Sequence, residues 1–151
     1  MDFPDVRLLV PHAGSMVLLD RVISADAENL CAEVHIRPDS LFCAAEGVGA
    51  WIGIEYMAQA IAAHAGYAAR LRGEPVKIGF LLGSRRYDCS LSTFALQSVL
   101  RIHVLRVLQA ESGLASFECR IEDLEGQILA TATITVFEPA DAKDFLKGSL
   151  E

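Results

Sequence analysis

The sequence has no CxxC pair, no basic stripe, no low-complexity tract and no internal repeat. Cys31, Cys43, Cys89 and Cys119 stand far apart, which argues against zinc sites and thiol redox motifs. A chain of 151 residues does not need a disulfide framework either, so four reduced, mostly buried thiols are expected. Basic residues number 13 against 20 acidic ones, a formal charge of −7, which is the wrong sign for a nucleic-acid surface. No run of like charge suggests a tail or an electrostatic membrane anchor. The opening Met1-Asp2-Phe3-Pro4-Asp5 is acidic and lacks a signal-peptide core, which predicts a cytoplasmic protein. Gly79-Phe-Leu-Leu-Gly83 fits neither phosphate-binding glycine pattern and reads as a strand. Charge is scarce overall, with 22% charged and 52% hydrophobic residues, so part of the apolar surface is expected to meet another subunit. The length suits one domain over residues 1–151, with a polar tail from about residue 139.

The richest stretch is Gly47 to Ala69, in which Glu55 is the only charged residue. Its apolar residues fall on every side, so a helix here is expected to be surrounded by protein. The stretch is long enough to cross a bilayer, which takes about 20 apolar residues. It nevertheless holds Glu55, Gln59 and His64, and an acid at mid-span costs about 2.5–3.5 kcal/mol on insertion. Strand-like segments flank it on both sides, and a buried soluble helix is the better reading. A carboxylate buried there loses hydration unless it is paired or protonated, which points to a proton-transfer group. The bland alternative is an ion pair or hydrogen bond to Arg21, Arg85 or a backbone donor.

Around this helix the chain alternates like β-structure. Val6–Val10 reads as a short helical turn ended by Pro11, Met16–Ser24 as a first strand, and Leu30–Ile36 as its hairpin partner. Gly73 and Pro75 stop the helix near residues 70–72. Strands are expected over Val76–Tyr87, Ser98–Gln109, Ala115–Glu122 and Gln127–Glu138, the last two joined by a turn at Asp123–Gly126. Gly79 and Gly83 are expected to mark bulges or close backbone approach. Two strands, one long helix and four strands are satisfied by an antiparallel sheet wrapped around a central helix, an α+β fold.

Two motifs add a resemblance. Leu9-Val-Pro-His-Ala-Gly-Ser-Met-Val-Leu-Leu-Asp-Arg-Val22 and Gly53-Ile-Glu-Tyr-Met-Ala-Gln59 resemble the opening segment and helix motif of hotdog-fold 3-hydroxyacyl-ACP dehydratases. The Trp51–Gln59 run is most similar to dehydratase-like proteins of aryl-polyene biosynthetic clusters. The resemblance implies a hotdog fold, with Glu55 at the family's catalytic carboxylate. It also implies an acyl tunnel at a subunit interface, with an active site that draws on both chains. The partners implied are an acyl carrier protein or CoA thioester and a second hotdog subunit, in a homodimer or a heterodimer. No metal or redox cofactor is implied. One departure stands out: the family's catalytic histidine falls fourteen positions before the glutamate, at Leu41, with Phe42 retained after it.

Dehydration of a 3-hydroxyacyl thioester needs a base at the carbon next to the carbonyl, an acid for the departing hydroxyl, and donors for the enolate-like oxygen. Unpaired N–H groups at a helix N-terminus suit the last role, which nominates Gly49, Ala50 and Trp51. Glu55 is expected to be the acid or to orient water, with its pKa raised by desolvation. Gln59, four positions later on the same face, is expected to orient it. His12 is the candidate base, weighed equally against a role as a turn residue after Pro11. His64 is expected in the core or at an interface, and His35 and His103 facing solvent or a neighbouring side chain. Trp51 and Tyr56 read more readily as packing than as chemistry. Arg85-Arg86 could attract a carrier's phosphate, though a solvated edge is the plainer reading. A hotdog thioesterase and a non-catalytic acyl-binding subunit paired with an active dehydratase remain the alternatives.

Overall fold

The computed structural model describes residues 3–11, 14–74 and 80–137. Its main sheet is six-stranded and antiparallel, in the order β1-β2-β7-β8-β9-β5. The strands are β1 Arg21–Ala25, β2 Asn29–His35, β5 Phe80–Cys89, β7 Val99–Gln109, β8 Leu114–Glu122 and β9 Ile128–Phe137. Alternation decides which way each one faces. Leu100, Ile102 and Val104 on β7, Phe117, Cys119 and Ile121 on β8, and Ala130, Ala132 and Ile134 on β9 are all buried. The helix α1, Gly53–Leu71, packs on this apolar face, chiefly against β7, β2 and β8. Met57, Ala60, Ala63 and Ala69 on the helix are fully buried. A sheet wrapped around one long helix is the hotdog arrangement expected from the sequence.

A small second sheet was not foreseen. It joins β3 Cys43–Ala44, β4 Gly47–Gly49 and β6 Thr93–Ala95 in the order β3-β4-β6. The stretch expected to be helical from Gly47 therefore starts as a strand, because Gly47 and Gly49 pair with Ala95 and Thr93. A 3-10 turn over Ala50–Ile52 then leads into α1. The helix ends as its stop signals imply. Gly73 N–H donates to the Arg70 carbonyl and Glu74 N–H reaches back to that of Ala69, 2.8 Å away.

The first strand starts at Arg21 rather than Met16, which closes a 3-10 turn over Gly14–Met16. The β8–β9 turn forms at Asp123, whose Oδ1 accepts from the Glu125 and Gln127 N–H groups. On β5 the register slips between Leu81 and Gly83, as expected for one of the two glycines. Gly79, the first residues of the expected Val76–Tyr87 strand and the tail from Pro139 lie outside the described residues. The N-terminal turn Val6–Leu8 is pressed onto the helix, where a Cβ on Gly66 would come within 1.8 Å of the Leu9 carbonyl oxygen. Among the described residues no helix is long and apolar enough to cross a membrane.

Candidate active site

Glu55 sits in the first turn of α1, where the positive end of the helix favours a carboxylate. It is half-buried, which corrects the expectation of an acid sealed from solvent. The cause is local: α1 starts only at Gly53, so Glu55 lies in its first turn rather than deep within it.

Gln59 is the fully buried residue of the pair. Its Oε1 accepts from the Leu18 N–H at 2.8 Å, and its Nε2 donates to the Met16 carbonyl at 2.7 Å. The same Nε2 donates to Glu55 Oε1 at 3.2 Å. One amide thus ties the carboxylate to the segment that carries the first sequence motif. The i to i+4 spacing on a helix is what brings the two side chains together.

Arg21, one of the partners weighed for Glu55, pairs with Glu33. Arg21 Nε lies 3.1 Å from Glu33 Oε1, Arg101 Nε 2.8 Å from Glu33 Oε2, and His35 Nε2 2.7 Å from Glu33 Oε1. Glu33, on β2 and 3% exposed, is the sealed acid among the described residues. Burial alone would raise its pKa, but the hydrogen bonds from His35 and Arg21 and the charges of Arg21 and Arg101 outweigh that and bring it down to about 2. Arg85 is exposed on the edge strand β5.

The donors proposed for an oxyanion are only partly available. Ala50 N–H is taken by the Ser92 carbonyl at 3.0 Å, and Gly49 lies in the β4–β6 ladder opposite Thr93. Gly53 N–H turns back to the Ala50 carbonyl, which also accepts from the Tyr87 hydroxyl. Burial raises the Tyr87 pKa, so it stays a neutral donor. Of the three residues named, Trp51 is the one whose N–H heads the helical segment without a strand partner among the described residues.

His12 lies outside the described residues. Leu41, where the resembling family has its histidine, is half-buried and lines a cavity of about 300 Å³ with Leu18, Val34, His35 and Tyr56. His64 is 2% exposed, with Nε2 3.1 Å from the Asp26 carbonyl oxygen, and burial lowers its pKa. It is a core residue holding the β1–β2 turn. His103 Nε2 lies 3.2 Å from Glu122, on the sheet. Among the described residues no group of three or more His, Cys, Asp or Glu side chains could hold a metal ion.

Residues 4–147 match the family model for ApeP-like proteins, described as ApeP dehydratase. The chain belongs to the ApeP-like dehydratase family. An ApeP-like fold is also seen in the dehydratase heterocomplex ApeI:P of Xenorhabdus doucetiae, at 30% identity, TM-score 0.89, and 99% coverage of both chains. More distant likenesses establish the fold alone. One is a hypothetical thioesterase with coenzyme A from Streptococcus pneumoniae TIGR4, at 16% identity and TM-score 0.62, covering 78% of this chain and 84% of that one. Another is thioesterase superfamily member 2 from zebra fish, at 11% identity and TM-score 0.66, covering 88% of this chain and 91% of that one. No curated protein matches the ApeP-like chain.

Proposed function

We propose that this chain dehydrates a 3-hydroxyacyl thioester, carried on an acyl carrier protein, to the enoyl thioester in aryl-polyene biosynthesis, as one subunit of a heterodimer with a related hotdog chain. The observation that carries this reading is the Glu55 carboxyl, held by the buried Gln59 amide near the head of α1 and still reachable from outside. Its oxygen delivers a proton to the departing 3-hydroxyl, which leaves as water, while a base takes the proton from the neighbouring carbon. The Trp51 N–H, at the positive end of the helix, receives the developing thioester oxyanion. The base is a histidine: His12, or one contributed by the second chain where this one has Leu41.

The pairing is supported by the relative from Xenorhabdus doucetiae, which was solved as a heterocomplex. Leu41 also supports a second reading, in which the chain binds acyl groups and the partner alone does the chemistry. The test incubates the chain, alone and with its partner, with 3-hydroxyacyl-ACP and follows loss of water by mass spectrometry. Glu55→Gln is expected to abolish turnover in the complex. Full turnover by that variant complex would reject Glu55 as the acid and leave the binding-subunit reading.

A further inference from the structure

Side chains alternate along β7, and Leu100, Ile102 and Val104 form the buried row that faces α1. Arg106 is next in that row, and it is half-buried. Its cross-strand partner is Phe117 on β8, 4% exposed, and the register slips just beyond it, between Arg106 and Leu108. A cationic side chain thus continues the apolar inner face of the sheet, where a charge is costly unless something pairs it. Among the described residues no ion pair reaches Arg106.

Beside it lies a cavity of about 440 Å³, within the range of small-molecule sites at about 300–1,000 Å³. Ile61, Ala65 and Ala68 of α1 line it on one side, and Ala115, Phe117 and Val136 of the sheet on the other. His64 also lines it and is 2% exposed. Burial lowers the His64 pKa and the Arg106 charge lowers it further, so the ring is neutral and feels that charge. Of the other charged lining residues, Glu111 is exposed and Arg72 is held by Glu74, with Nη2 3.2 Å from Oε2. Ala68 stands 13 positions after Glu55, about 20 Å along the helix at a rise of about 1.5 Å per residue. The cavity is therefore far from the candidate active site.

We propose that this cavity binds an amphipathic organic anion, with a carboxylate or phosphate head on Arg106 and a short apolar body between α1 and Phe117. The occupant follows from the lining: one unpaired cation, apolar walls on both sides, and two alanines whose small side chains leave the room. A bare inorganic anion leaves those walls wet, and a neutral apolar molecule leaves the charge uncompensated. The site goes beyond the dehydratase reading and does not rest on it.

The test titrates the full chain by calorimetry with octanoate, octyl phosphate, octan-1-ol and acetate. Octanoate or octyl phosphate is expected to saturate a single site, about tenfold or more tighter than octanol and acetate. The tighter of the two identifies the head group that Arg106 takes, and saturable binding of either supports the site. Arg106→Gln is expected to bring the preference over octanol near one. Ala68→Leu, which fills the cavity from a half-buried helix position with a good helix former, is expected to abolish binding of every probe. Thermal unfolding checks that both variants fold, and the preferred probe is expected to raise the melting temperature of wild type alone. Octanol binding as tightly as the anions would overturn the proposal, because Arg106 would then keep its charge in water. Acetate binding as tightly as octanoate, or a preference that survives Arg106→Gln, would overturn it too. So would displacement of the bound probe by a 3-hydroxyacyl pantetheine thioester, because the cavity would then be the far end of the acyl path.

Discussion

Replacing Gln59 by glutamate changes one nitrogen to oxygen and little else in volume, so it probes the hydrogen bond rather than the packing. The Leu18 N–H keeps an acceptor, but the atom facing Glu55 and the Met16 carbonyl turns from donor to acceptor. Two unit negative charges at the observed 3.2 Å repel by about 5 kcal/mol at an effective dielectric constant of 20. Solvent at the half-open Glu55 weakens this, and the carboxyl introduced at position 59 is expected to titrate above an ordinary glutamate. Between the unfolded and the raised value the pair therefore keeps a proton that the unfolded chain has lost. Because the folded state then binds more protons, the variant is most stable relative to wild type below about pH 4. It loses up to about 1.4 kcal/mol per pH unit as pH rises through the raised value. Each kcal/mol lowers the melting temperature by about 2–4 °C in a chain of this size. Thermal unfolding of Gln59→Glu and wild type across about pH 4 to 8, the range over which the carboxylates titrate, measures the difference. Parallel curves would show that the two side chains do not meet, and the description of the site would be wrong.

Glu33→Gln removes a carboxylate whose folded pKa is depressed to about 2, so the stability it contributes is present above the unfolded value and disappears as pH falls toward about 2. The variant is expected to lose about 2–3 kcal/mol at neutral pH, less than a fully buried pair because Arg21 is 64% exposed, and to show a flatter acid limb in denaturant titrations. Gly66→Ala places a methyl group 1.8 Å from the Leu9 carbonyl oxygen and must lift the N-terminal turn, at a cost of about 1–3 kcal/mol read from urea unfolding. Tyr87→Phe deletes the donor on the Ala50 carbonyl and is expected to cost about 1 kcal/mol, with faster amide exchange at the head of α1.

The long elements were legible because their periodicity is strong. Alternation marks β7, β8 and β9 within a residue or two, and the alanine-rich run marks α1. What stayed hidden was set by partners distant in sequence. Gly47–Gly49 has the same apolar character as the helix that follows, and only its pairing with Thr93–Ala95 makes it a strand. Met16–Asp20 has strand-like composition, but Met16 and Leu18 give backbone groups to Gln59 instead of to a neighbouring strand. The Gln59 contact with Glu55 was readable from helix spacing alone. The clamp on Glu33 was not, because Arg21, His35 and Arg101 come from three strands whose register no local pattern specifies.

Two carboxylates in one small domain carry opposite signatures, and the contrast bears on which of them does chemistry. Glu33 is closed off and gripped by two guanidinium groups and an imidazole, so taking up a proton would break a charge network; its depressed pKa expresses that resistance. Glu55 has a carboxamide at hydrogen-bond distance and a face open to solvent. An amide N–H can donate to a carboxyl oxygen whether or not the group is protonated, so the Gln59 contact serves to position Glu55. The first environment suits a structural acid, and the second is compatible with the proton-donor role proposed for Glu55. Burial, which drew attention to Glu55 in the sequence, is a poorer guide here than the chemical nature of the neighbour that holds the oxygen.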